Sequence, residues 1–138
     1  MEFDHIGIFV DDIERGQNTI GSFLPIVRHT EIFEDHLLRV KVQFLYDASG
    51  VCYELVAPFG EKNPVDVVLK TRKNVLNHVA YRAHDFDGTS TRLTEQGALP
   101  LGTARPAVAF GGRRVIFFFT PLNFIIELIE GETPLKIA

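Results

Sequence analysis

Apolar and polar positions alternate through "FDHIGIFV" at residues 3–10, rich in β-branched and aromatic side chains, which predicts a strand opening on a histidine, His5. The pattern returns in "LNHVAYRA" at 76–83, opening on His78. Each strand leads into a segment of helical period. Ile13 and Ile20, like Phe86 and Leu93, fall on one helical face, behind Asp11 or Asp12 and Asp85 or Asp87 as N-cap candidates. Gly97 is placed to end the second helix. Three more strands are expected in the first half, at about 27–34, 39–46 and 51–57, the last two joined by "DASG" at 47–50. In the second half "RRVIFFFT" and "NFIIELIE" flank "PLN" as a shorter hairpin. Each half therefore reads β-α-β-β-β.

The two halves keep one register. His5 and His78 are 73 residues apart, and the same offset pairs Ile6 with Val79, Ile8 with Tyr81, Asp12 with Asp85, Val42 with Val115, Phe44 with Phe117 and Leu55 with Leu128. It also pairs Glu54 with Glu127, so each half carries a His and a Glu 49 residues apart (54 − 5 and 127 − 78). The expected domain is a single α+β unit of two tandem βαβββ modules, 1–57 and 76–131, joined by a linker at 58–75 with a short helix near 64–70. One module would leave a sheet face bare, and two can cover it as a curved, mostly antiparallel eight-stranded sheet around a shared cavity.

Strand alternation places Glu54 in a row with Cys52 and Val56, and Glu127 with Ile125 and Ile129. A carboxylate in an apolar row needs a cation, a hydrogen-bond partner or a raised pKa. A lone strand glutamate or histidine would be expected on a wet rim or satisfied by backbone, but the repetition makes His5, Glu54, His78 and Glu127 a convergent nitrogen and oxygen donor set. Such a set suits a divalent metal, with Zn, Co, Ni, Mn and Fe all compatible. Four protein donors leave open positions on a six-coordinate ion, as a catalytic site requires.

Composition narrows the functional classes. The net charge of −4 and the absence of a long Lys/Arg run give no footprint for nucleic acid. A single cysteine, Cys52, permits no internal disulfide, and no apolar run reaches the ~20 residues of a membrane span, so a cytoplasmic location is expected. The densest basic cluster is Lys62, Lys70, Arg72 and Lys73.

"DHIGIFVDDIE" with "NHVAYRAHDFD", and "YELVAP" with "IELIE", resemble the vicinal oxygen chelate superfamily of glyoxalases, epimerases, extradiol dioxygenases and bleomycin-resistance proteins. The linker and "AFGGRRVIFFFTP" are most similar to methylmalonyl-CoA epimerases. The resemblance implies metal ligands at His5, Glu54, His78 and Glu127, and an enzyme that removes a proton beside a carbonyl or thioester, with Glu54 and Glu127 as catalytic carboxylates. Epimerisation of an acyl-CoA such as methylmalonyl-CoA leads. A glyoxalase I-type lactoylglutathione lyase, or a non-catalytic binding or resistance protein, is the alternative. Coenzyme A phosphates would meet the basic cluster or Arg113 and Arg114, while Arg39, Lys41 and Gln43 are candidates for outer contacts. "VIFFFT" is apolar on both faces and expects cover on each, for which a homodimer is one source.

Overall fold

A computed structural model describes residues 1–72 and 75–132. Strand β1 (Glu2–Phe9) leads into helix α1 (Ile13–Phe23), whose N-cap Asp12 accepts from the Arg15 amide. Strands β2 (Ile26–His29), β3 (Phe33–Asp35), β4 (Val40–Asp47) and β5 (Cys52–Pro58) follow. Helix α2 (Pro64–Thr71) starts at an Asn63 cap with proline in its first turn, where the missing N–H leaves nothing unpaired. The second half repeats the order: β6 (Leu76–Ala83), α3 (Phe86–Glu95) capped by Asp85, β7 (Leu99–Pro100), β8 (Arg105–Pro106), β9 (Arg114–Phe119) and β10 (Ile125–Glu130).

The strands form one open, mostly antiparallel sheet in the order β2-β4-β5-β1-β6-β10-β9-β7, with β3 added to β4 and β8 to β9. Among the described residues eight strands make the continuous path, as expected, and two short segments bring the total to ten. The strand expected over 27–34 is broken because Thr30 enters the ladder with its hydroxyl. Phe44 N–H donates to Thr30 Oγ1 at 3.1 Å, that hydroxyl donates to the Glu31 carbonyl at 2.7 Å, and β3 resumes in a shifted register. In the second half Pro100 and Pro106 close β7 and β8, since neither offers an N–H to a longer ladder.

Alternation sorts the side chains between two faces. On one, Leu45, Leu55 and Ala57 pack with Ile13 of α1, and Phe118 and Leu128 pack with Phe86 and Leu93 of α3. On the other, Phe9, Val42, Phe44, Cys52, Val56, Ala80, Val115 and Ile129 form one core, covered by Val65 of α2 and by Ala109 and Phe110 of a 3-10 turn at Val108–Phe110. Strand β9 finds cover on both faces within the chain: Val115 and Phe117 join the second core, Ile116 and Phe118 the α3 side. Among the described residues no helix is long and apolar enough to cross a membrane. Lys62, Lys70 and Arg72 are exposed around α2, and Lys73 lies outside the described residues.

Phe118 is fully buried on the α3 side, away from the polar residues of the other face. Phe118→Ala should therefore cost about 3–5 kcal/mol, read as a lower midpoint in urea unfolding.

Candidate metal centre

The β1–β6 pairing is where the halves meet, and it is symmetric about one residue pair. Ile6 faces Val79, its own counterpart in the repeat, while His5 faces Ala80 and Gly7 faces His78. Small residues thus stand opposite both histidines. The requirement is strict at Gly7, where a Cβ would lie 2.0 Å from the His78 ring. Glu54 on β5 and Glu127 on β10 reach the same point because β5 runs parallel beside β1, and β10 parallel beside β6.

The four expected residues come together. His5 Nε2 lies 3.3 Å from Glu54 Oε1 and 3.1 Å from Glu127 Oε1; His78 Nε2 lies 3.2 and 3.3 Å from the same two oxygens. The two Nε2 atoms are 3.3 Å apart. All four residues are buried. Metal–nitrogen bonds of about 2.1 Å put neighbouring donors about 3.0 Å apart around an octahedral ion and about 3.4 Å apart around a tetrahedral one. The observed spacings match ligand atoms sharing one ion.

Hydrogen bonding on the far side of each ring supports this fit. His5 Nδ1 is 2.6 Å from Asp4 Oδ1, and His78 Nδ1 is 2.9 Å from Asn77 Oδ1. Each Nδ1 therefore donates and each Nε2 presents a lone pair to the centre. Glu127 Oε1 is buried with no hydrogen bond of proper geometry, although two nitrogens lie within 3.3 Å. Two lone pairs and two carboxylates facing one dry point call for a cation. These residues could hold a divalent ion as one complete set from a single chain.

Without an ion, protons take its place. Burial opposes the charge on His5, but the Glu54 carboxylate, the hydrogen bond the ring donates to Asp4 and the nearby oxygens of Glu127 and Glu54 outweigh it and raise its pKa well above 6.5. His78 is raised similarly, burial again yielding to Glu127 and Glu54. Burial would lift Glu54, yet the charge of His5 and the two imidazole hydrogen bonds bring it well below the usual carboxylate range.

Sequence reasoning missed Asp4 and Asn77. Both are extra residues in the β1–β6 ladder: the register steps from Phe3 to His5 against consecutive residues of β6, and from Leu76 to His78 against consecutive residues of β1. A bulge turns the extra side chain toward its neighbour, and here it brings an acceptor to each Nδ1. The offset of 73 also pairs Asp4 with Asn77, which was the available signal. Phe110 was missed as well; its ring stacks on His5 at 5.9 Å and an interplanar angle of 13°.

Other candidates lie elsewhere. Lys41 and Gln43 alternate with the site-facing Val42 and Phe44, so they point to the opposite face. Lys41 sits 3.8 Å from Glu34, and Gln43 Nε2 donates to the Thr30 carbonyl. Arg39 donates to the Glu61 carbonyl, and Arg114 is engaged by Glu130 and Asp87. Two surface clefts of about 410 and 470 Å³ open at His36–Arg39–Phe59 and at Asp11–Glu14–Lys41, away from the quartet. The centre itself is closed over by aromatic side chains.

Residues 4–117 match the model of the Glyoxalase/Bleomycin resistance protein/Dioxygenase superfamily. The chain is 30% identical over 134 residues to an ethylmalonyl-CoA/methylmalonyl-CoA epimerase of Cereibacter sphaeroides, covering 94% of this chain and 95% of that one. Its fold is similar to the methylmalonyl-CoA epimerase of Mycobacterium tuberculosis, with a TM-score of 0.76, 24% identity, and 96% and 89% of the two chains covered. A methylmalonyl-CoA epimerase in complex with methylmalonyl-CoA and NH4+ aligns with a TM-score of 0.75 at 21% identity, over 96% and 98% of the chains.

An ion entering the metal-free protein has to displace protons held by the raised imidazoles. The apparent affinity for Zn2+ or Co2+ should therefore rise with pH through a midpoint above 6.5, with proton release visible by calorimetry in buffers of different ionisation enthalpy; an affinity flat in pH would exclude the imidazoles as ligands. Gly7→Ala should abolish stoichiometric metal in elemental analysis, because the His78 ring occupies the space of the new methyl group.

Proposed function

We propose that this protein, which belongs to the Glyoxalase/Bleomycin resistance protein/Dioxygenase superfamily, is a divalent-cation-dependent epimerase of an acyl-CoA thioester, with methylmalonyl-CoA the leading substrate. The observation that carries this reading is the buried pair of histidines and pair of glutamates converging on one point, in a chain similar end to end to an acyl-CoA epimerase. The single domain of modules 1–57 and 76–131 with linker 58–75 belongs to the same reading, since each module supplies one His and one Glu.

His5, His78, Glu54 and Glu127 would hold the ion, with Zn, Co, Ni, Mn and Fe all compatible with this donor set. When bound, the ion supplies positive charge that polarises the thioester carbonyl and acidifies the adjacent C–H. The chain's own part is proton transfer. Glu54 and Glu127 occupy equivalent positions of the repeat, so one carboxylate can take the α-proton while the opposite side of the site returns one. Their burial keeps the reacting carbon away from bulk water, where the exchanged proton would be lost.

Entry of the acyl group requires Phe110 to leave the His5 ring. The turn that carries it runs into Gly111 (φ 62°) and Gly112 (φ 85°), conformations that glycine adopts without strain. The exposed Lys62, Lys70 and Arg72 around α2 would receive the phosphates of the carrier.

In D2O the ion-loaded protein should exchange the α-proton of methylmalonyl-CoA, and Glu54→Gln or Glu127→Gln should slow exchange by about 10²–10⁴-fold. Exchange that is absent with the ion bound would remove the acyl-CoA substrate, and turnover of the hemithioacetal of methylglyoxal and glutathione would replace it with a glyoxalase activity.

A further inference from the structure

The two halves support their histidines unequally. Behind His5 stands a carboxylate: Asp4 Oδ1 is 2.6 Å from its Nδ1, and Asp4 Oδ2 is 2.9 Å from Nε of Arg82. Arg82 is locked in turn. It donates to the Phe3 carbonyl at 3.1 Å and to the Glu132 carbonyl, and lies 3.6 Å from Glu2. The pair is dry, with Asp4 1% and Arg82 10% exposed. Behind His78 stands the neutral amide of Asn77. The counterpart of Arg82 in the repeat is Phe9, whose ring meets His78 edge-on at 6.5 Å. One imidazole is backed by a carboxylate and guanidinium, the other by an amide and a phenyl ring.

We propose that Arg82 and Asp4 are positioning residues that make His5 the stronger, orienting donor of the site, with His78 the weaker one. This rests on the reading of His5 and His78 as ion ligands. A carboxylate accepting from Nδ1–H fixes ring orientation and pushes electron density toward Nε2, which an amide oxygen does less. Arg82 holds the carboxylate in place in a dry setting, where a lone charge would be costly. It reaches Asp4 from β6, so the second half of the chain controls the donor strength of a ligand in the first.

The test is Co2+ binding by chelator competition, with the visible absorption bands of the bound ion as a second readout. Asp4→Asn, which reproduces the Asn77 arrangement, should weaken Co2+ binding about 10–100-fold and shift the bands. Arg82→Met should do the same, the double variant should lose no more than the greater single loss, and Arg82→Lys should recover most of the affinity. Melting temperatures of the metal-free variants separate this from lost folding, and Asp4→Asn keeps the test open where Arg82→Met fails to fold. Unchanged affinity and bands in Asp4→Asn, or fully additive losses, would overturn the arm while leaving the ion site intact. Absence of Co2+ binding by the unaltered protein would overturn both.

Discussion

Two carboxylates and two imidazole lone pairs cannot share a dry point without positive charge among them. The four donor atoms lie within 4.8 Å of one another, and at an effective dielectric near 20 two carboxylate charges at that distance repel by on the order of 3 kcal/mol. Water cannot relieve the repulsion in a core closed by Phe44, Phe110 and Phe117. An ion or bound protons are therefore part of the folded state. The small residues opposite the histidines, the two ladder bulges and the parallel placement of β5 and β10 are the means by which the backbone brings these groups to one point.

Duplication explains how so much polar chemistry fits in a small core. The symmetry centre falls at Ile6 and Val79, so one local solution, a bulged strand with a His backed by an acceptor and faced by a small residue, is used twice. Each half places its His and Glu on one face of the sheet and its helix, α1 or α3, on the other. The site face is left to α2 and the 108–110 turn, which lie outside the strict repeat or late in it. The cover and the four converging side chains are thus carried by different segments.

Much of this was legible from residue spacing. Helical period anticipated both helices, with Asp12 and Asp85 each one of two cap candidates, the "DASG" turn anticipated the β4–β5 hairpin, and the constant offset paired the two histidines and two glutamates that meet. What was hidden depends on single residues that leave the hydrophobic pattern intact. A bulge at Asp4 or Asn77 adds one residue without disturbing the alternation on either side, and Thr30 breaks a strand through one hydroxyl. Lys41 and Gln43 have the chemistry of site residues, but strand parity puts them on the wrong face. The approach of Arg82 to Asp4 crosses between halves and has no trace in either repeat alone.

The closed site and the unequal histidines bear on each other. Phe110 stacks parallel to the His5 ring, which is hydrogen-bonded to Asp4, while His78 makes T-shaped contacts with Phe9, Phe117 and His5 itself. A flat aromatic cover needs a ring that does not turn, and a hydrogen bond of 2.6 Å to a buried carboxylate supplies that constraint. At the start of the cover the Val108 amide donates to Asp35 on β3, and Ala107 donates to the Arg113 carbonyl and accepts from the Gly112 amide. Ala107, Ala109 and Phe110 are buried in the core, so moving the turn exposes their apolar surface in addition to losing the bond to Asp35, itself worth roughly 1–3 kcal/mol. The turn carries none of the four His and Glu side chains, which stand on β1, β5, β6 and β10, so displacing it would leave those strands paired with one another.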